Sequence, residues 1–231
     1  ADFLTVWYKS TDFLKDQKFM AAYNAGMNSG HKIARPADSF EDIHIEWRIH
    51  ICCWAAWHAK HLPGDFVECG TNTGIMSLAV DNYIDFNSTG KSFFLFDTFH
   101  GIPDDQITPC ERLLGRAQEN EQLYEDCYER TKTNFSPFPR ARLVRGKVPD
   151  TLPTVPIDQV CYLCLDMNIV VPERAAIEYF WDKLVPGAPV ILDDYGWLNF
   201  GEQKEAMDAF AARKGVKIAN LPTGQGLLFK P

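Results

Sequence analysis

The sequence predicts an α/β fold. The expected core is a doubly wound, mostly parallel sheet of seven strands with an antiparallel C-terminal strand, plus an N-terminal helical cap. Three observations predict it. Short, continuously apolar runs alternate with segments of helical period, which argues for a parallel sheet covered on both faces. The C-terminal stretch VKIANLPTGQGLLFKP fits a closing hairpin around PTGQG. The N-terminal part lacks this alternation and reads as helical, with aromatic and histidine content (HIEWRIHICCWAAWHAKH). Residues 1–61 are therefore expected to form the cap and 62–231 the sheet domain.

The elements follow in order. GDFVECG, Gly64 to Gly70, is a strand ending at a glycine, and TGIMSLAVDNYIDF continues as a helix. KSFFLFDTF is a second strand ending at Asp97, followed by a charged, turn-rich and helical stretch from Gly101 to about Phe135. ARLVRG is a third strand and QVCYLCLDMN a fourth, apolar until Asp166. PERAAIEYFWDKLVPG is a helix with Pro172 in its first turn and PG closing it. APVILDD is a fifth strand, and GEQKEAMDAFAARKG an amphipathic helix stopped at Gly215.

The bulk numbers bound the function. The chain has 231 residues, 46% hydrophobic and 23% charged, enough for a sizeable core. Its formal net charge of −8 makes it a poor nucleic-acid binder. The basic cluster Arg140, Arg142, Arg145 and Lys147 reads as a solvated strand flank. Seven cysteines show no regular spacing, and Cys161 and Cys164 would face opposite sides of a strand. Free buried thiols are expected, hence a reducing, cytoplasmic location. No segment approaches the roughly 20 apolar residues of a membrane span. ADFLTVWYKSTDF lacks the cationic start and apolar block of a secretory leader.

The chemistry lies in the carboxylates. In an open parallel sheet, ligands bind outside the carboxyl ends of the strands. Glu68 ends the first strand, Asp97 the second, Asp166 the fourth, and Asp193 with Asp194 the fifth. An aspartate after a strand often caps a turn, but the repetition along one rim points to a site. ECGTNTG turns tightly into a helix, and Gly70 and Gly74 would let backbone approach a ligand. Asn72 stands where a dinucleotide fingerprint has its second glycine. Asp97 suits two ribose hydroxyls, which fits either NAD or S-adenosylmethionine. Asp166, Asp193 and Asp194 offer three hard oxygen donors, suited to magnesium or calcium and not zinc. A dication would relieve their mutual repulsion and lower the pKa of a bound hydroxyl, which methyl transfer to oxygen needs and a nicotinamide dehydrogenase does not.

LPGDFVECGTNTG, FFLFDTFHGIP, GKVPDTLP and LVPGAPVILDDYG together resemble the macrocin-type (TylF-type) sugar O-methyltransferases, a family of class I S-adenosylmethionine-dependent enzymes with a Rossmann-like sheet. The resemblance runs from about Leu62 to the C-terminus. It implies that the loop of Glu68, Cys69, Gly70, Thr71, Asn72 and Gly74 lines the methionine end of S-adenosylmethionine. By the same resemblance Asp97 takes the ribose, Thr98 and Phe99 lie near the adenosine, and Gly146 and Lys147 border the adenine. Asp166, Asp193 and Asp194 match the magnesium ligands, with Asp166 also lining the cofactor and acting as general base. The implied acceptor is a hydroxyl of a sugar or glycosylated small molecule, and homo-oligomers are in keeping with the family.

The chain departs from the family at DMNIVVPER, where Asn168 replaces a second acid and Val170 a tyrosine, and at His100, which stands where a glutamate is usual. Asn168 is expected to face the substrate, and keeps open a degenerate binding module as the rival to an enzyme. Tyr195 is read either as a substrate contact or as a hydrogen bond completed at the rim. His31, His44, His50, His58 and His61 read as packed or solvated cap residues, with a general base as the alternative. Trp47, Trp54 and Trp57 are expected in the core of a cap helix.

Overall fold

The computed structural model describes residues 4–32 and 42–231. Residues 1–3 and 33–41, within the expected cap, lie outside the described residues. Helices α1 (Gln17–Met27) and α2 (Glu46–Ala59) precede β1 (Asp65–Cys69), α3 (Ile75–Ile84) and β2 (Phe93–Asp97). Three short helices, α4 (Pro109–Leu113), α5 (Arg116–Leu123) and α6 (Tyr128–Asn134), fill the turn-rich stretch. Then come β3 (Ala141–Arg145), β4 (Val160–Leu165), α7 (Val170–Phe180), β5 (Pro189–Leu192), α8 (Gly201–Lys214), β6 (Ala219–Asn220) and β7 (Gly226–Phe229).

The seven strands form one sheet in the order β3-β2-β1-β4-β5-β7-β6. β1 to β5 run parallel, and β7 is antiparallel to both its neighbours. The chain winds outward from β1 to β3, then restarts at β4 on the other side of β1. That reversal opens a crevice above the β1 and β4 ends, where open α/β sheets bind ligands. The strands are apolar because both faces are covered: all six residues of β4 are buried. Phe66, Phe93 and Tyr162 knit β1, β2 and β4, with ring centroids of Phe66 5.6 Å from Phe93 and 5.1 Å from Tyr162.

Helix α2 belongs to the same core. Its buried face is Ile49, Cys52, Cys53, Ala55, Ala56 and Ala59. These are mostly small side chains, so the helix axis can lie close to β4 and β5, which it contacts. The tryptophans correct the expectation of a buried set. Trp54 and Trp57 are 40% and 41% exposed, because they fall on the face opposite the small residues. Trp57 instead carries the Lys60 ammonium 3.3 Å from its ring centroid. Trp47 packs against Phe13 at 4.5 Å.

The cysteines are unpaired thiols, with all but Cys110 buried. Among the described residues no helix is long and apolar enough to cross a membrane.

Candidate active site

The ladder bonds set the rim. Gly70 N–H donates to Phe96 O at 2.8 Å, Asp166 N–H to Cys69 O at 2.9 Å and Asp193 N–H to Leu165 O at 2.9 Å. Each strand end is thereby fixed to its neighbour, and the residues just beyond it project over one cleft. That cleft encloses about 1170 Å³ of empty space, including its open mouth.

The β1 loop has its shape because it must pass under Asp166. Gly70 has φ +95°, and a Cβ there would sit 1.8 Å from the Asp166 carbonyl oxygen. Only glycine fits so close an approach. Gly74 caps α3 in the left-handed region and packs on the Phe135 ring, where a Cβ would lie 2.6 Å away. Asp97 ties this loop to the next one. Its Oδ2 accepts from Asn72 N–H at 2.7 Å and its Oδ1 from Phe99 N–H at 2.5 Å. Oδ1 also accepts from Thr98 Oγ1 at 3.3 Å, and Asp97 itself lines the cleft. Burial raises the Asp97 carboxyl, and these backbone donors pull it back down. Glu68, buried at the base of the loop, is pushed by burial up to about 8, against the pull of the nearby Ser77 and Thr71 hydroxyls. Its Oε2 has no hydrogen-bond partner among the described residues.

Across the crevice stand the three aspartates. One carboxylate oxygen from each of Asp166, Asp193 and Asp194 can be chosen so that all lie within 4.8 Å of one another. Asp166 is pushed up to about 6 by burial, which the Arg48 guanidinium resists and Asp97 reinforces. Asp194 is driven well above its usual range by burial and then by Asp166 and Glu173, against Arg48 and Arg116. Its Oδ2 is buried without a hydrogen-bond partner among the described residues. Asp193 Oδ1 accepts from Gln225 Nε2 at 2.9 Å, and its Oδ2 ion-pairs with Arg48. Glu173 braces the segment below: its Oε1 accepts from Met167 N–H at 3.1 Å and Gln203 Nε2 at 2.9 Å. Helix α7 has no side-chain cap of its own, and Glu111 from α4 supplies one, accepting from Val170 N–H at 2.7 Å.

Of the residues read from the sequence, Glu68, Gly70, Thr71, Asn72, Asp97, Thr98, Gly146, Asp166, Asn168 and Asp194 line the cleft. Asn168 adopts φ +63°, a left-handed conformation that asparagine tolerates better than most residues. The others sit elsewhere. Cys69 is buried within β1, and Gly74 turns away toward Phe135. Phe99 is buried against Tyr128, 5.3 Å between centroids. Lys147 reaches Asp105 at 2.6 Å in an adjoining groove. Asp193 is fully buried behind the lining. Tyr195 points away: its hydroxyl donates to Asp208 Oδ1 at 2.5 Å on α8 and accepts from Lys204 Nζ at 3.0 Å. The hydrogen-bond reading of Tyr195 therefore describes its position, and the substrate contact does not. Among the histidines, His31 lines the cleft, beside Tyr124 at 6.1 Å, and burial lowers its pKa to about 4. His44 is exposed and faces Glu46, and His50 stacks on Phe13. His58 and His61 are exposed.

Sequence reasoning missed Arg48, Tyr124 and Gln106, all of which line the cleft. Arg48 had one signal, a lone cation in the apolar run IEWRIHICC.

The profile of the macrocin O-methyltransferase (TylF) family matches residues 49–221, well over half of the chain. This chain belongs to the macrocin O-methyltransferase family. Its family match begins inside α2, before the point where the sequence resemblance was placed. A relative from Streptomyces olivaceus, an 8-demethyl-8-(2,3-dimethoxy-alpha-L-rhamnosyl)-tetracenomycin-C 4'-O-methyltransferase, is 26% identical over 165 residues, 68% of this chain and 62% of its own. The demethyldecarbamoylnovobiocin O-methyltransferase of Streptomyces niveus is 26% identical over 161 residues, 67% and 60% of the two chains. The chain thus spans about three fifths of the length of these curated relatives. Among solved structures, the O-methyltransferase NovP superposes with a TM-score of 0.76 at 19% identity, covering 96% of this chain and 99% of NovP. This family member therefore has the class I methyltransferase fold, with antiparallel β7 set between β5 and β6.

Proposed function

We propose that this chain is a Mg2+-dependent O-methyltransferase that moves a methyl group from S-adenosylmethionine to a hydroxyl of a sugar or glycosylated small molecule. The observation that carries the reading is the pairing of two unlike acid sets across one crevice. Asp97 and Glu68 flank a glycine loop, while Asp166, Asp193 and Asp194 crowd together on the far side. The family match and the rhamnosyl substrate in the name of one relative support a glycoside acceptor.

The residues fit both absent groups. For the cofactor, the β1 loop and the Asp97 carboxylate line one cleft, and Asp97 Oδ2 can accept from a ribose hydroxyl beside Asn72 N–H. Thr98 and Gly146 line the end of the cleft suited to the adenine. For the dication, the donor set is hard oxygen, and Asp194 Oδ2 is a buried acceptor with no donor of its own. When bound, the cofactor supplies an activated methyl sulfonium and the dication polarises the acceptor hydroxyl. Asp166, on the cleft lining, would hold the acceptor hydroxyl and take its proton, so that methyl transfer leaves a methyl ether, S-adenosylhomocysteine and a protonated Asp166. Burial raises Asp166 to about 6 before any ion is bound, and a bound dication would bring it down again. Asn168 and the apolar residues Ile102, Ile169 and Pro172 form the wall that would meet the acceptor.

The test is methyl transfer from isotope-labelled S-adenosylmethionine to a panel of glycosides, with and without chelator. Transfer that needs a divalent ion supports the reading. Undiminished transfer in excess chelator removes the metal, and failure to bind S-adenosylhomocysteine removes the enzyme.

A further inference from the structure

Asp193 is treated differently from its two neighbours. Asp166 and Asp194 line the cleft, whereas Asp193 is wholly buried behind them. The protein holds its two oxygens unequally: Oδ1 accepts from Gln225 Nε2 at 2.9 Å, whereas Oδ2 has no hydrogen-bond partner among the described residues and is held by its ion pair with the Arg48 guanidinium alone. Gln225 comes from the turn between β6 and β7, and the same Nε2 lies 3.5 Å from the Arg48 carbonyl oxygen. One amide therefore holds the aspartate against the helix that delivers its arginine. Arg48 lines the cleft as well, so its guanidinium reaches Asp193 from the side on which Asp166 and Asp194 face the cleft.

An arginine cannot be silenced by losing its proton, so its charge can leave a carboxylate only by moving. We propose that Arg48 competes with the divalent cation for Asp193, so that the third carboxylate ligand becomes available only when the guanidinium lets go of it. This rests on the Mg2+ reading of the aspartate cluster. Asp166 and Asp194 meet an incoming ion first, since they face the cleft. The Trp197 ring, 5.8 Å from the Arg48 guanidinium carbon, offers the displaced charge a face to rest on. The site then binds its ion more weakly than three unencumbered aspartates would, and α2 becomes a metal-responsive element. Removing the guanidinium leaves Asp193 buried without its counter-charge, a situation that a dication relieves.

The experiment uses the full chain with Mn2+ as the probe, without S-adenosylmethionine or acceptor. Binding is read by calorimetry and by the loss of the free-ion electron paramagnetic resonance signal. Arg48→Met is expected to tighten Mn2+ binding about tenfold or more, the equivalent of one step of 1.4 kcal/mol. Arg48→Lys, which keeps the charge, stays near wild type. Arg48→Met/Asp193→Asn loses the gain. Arg48→Gln replaces Arg48→Met if circular dichroism shows the methionine variant unfolded. The competition is overturned if the uncharged variant binds Mn2+ no more tightly than wild type, or if its gain survives Asp193→Asn. Absence of Mn2+ binding in wild type and variants alike is a different result: it removes the metal reading itself, and this proposal with it.

Discussion

The two halves of the rim carry acids that are settled in opposite ways. On the β1–β2 side, Asp97 accepts from one backbone N–H group of each of the two loops it ties together. It shapes those loops, and the proposed function gives it a neutral diol as well. On the β4–β5 side, three aspartates crowd together, Asp193 pairs with Arg48, and Asp194 keeps a buried oxygen with no hydrogen-bond partner among the described residues. Backbone N–H groups compensate a single carboxylate well, but they cannot neutralise three that lie together. The proposed function accordingly gives the first half a hydrogen-bonded ligand and the second a positive charge. A sheet that places acids at four of its five parallel strand ends need not settle them all in one way.

The largest effect that tests this contrast is at Asp166. Asp166→Asn should lower turnover about a thousandfold or more, because it removes the base and a charge from the cation side together. Calorimetric affinity for S-adenosylhomocysteine should stay within a few-fold of wild type. Equal losses of turnover and cofactor affinity would mean that the halves act as one site. Chelator should reproduce the loss in wild type, and added Mg2+ should reverse it. Asp97→Ala is the mirror experiment. It should weaken S-adenosylhomocysteine binding by about 1.5–3 kcal/mol, the range for hydrogen bonds to a charged group, while the Mn2+ affinity of the aspartate cluster stays unchanged. An unaltered titration with S-adenosylhomocysteine would leave Asp97 as a loop tie and nothing more.

Much of this contrast is legible in the sequence, and the reason is local. Each of Glu68, Asp97, Asp166, Asp193 and Asp194 follows an uninterrupted apolar run, so the strand and its end are visible together. The parallel-sheet rule then gathers them on one rim without any knowledge of packing. The hairpin of β6 and β7 is equally local, announced by PTGQG. What the sequence hid is non-local. Arg48 matters because α2 lies over β4 and β5, and Gln225 because the β7 turn folds back onto that helix. Neither contact leaves a mark in the spacing of residues. The Trp54 and Trp57 misreading has the same origin: large aromatics read as core until small residues are seen to occupy the face that meets the sheet. Tyr195 sits beside two site residues in sequence, yet consecutive residues after a strand point different ways, and it bonds to α8 instead.

The smallest expected effect probes the acids that neither ligand reaches. Asp81, on α3 behind the cofactor loop, is fully buried, and neither of its oxygens has a hydrogen-bond partner among the described residues. Burial, with Glu68 adding, holds its carboxyl well above the ordinary value of 3.8. The folded state then binds a proton that the unfolded chain releases, so stability falls as the pH rises from about 3.8 toward the folded-state pKa. Asp81→Asn removes that ionisation and should stabilise the protein by about 1–3 kcal/mol at pH 7. The gain should shrink as the pH is lowered toward 4, and added Mg2+ should leave it unchanged. Thermal melts of both proteins at the two pH values, each with and without Mg2+, measure all of this. A gain that Mg2+ abolished would place Asp81 under the influence of the cation side, and the division of the rim into two independent halves would fail.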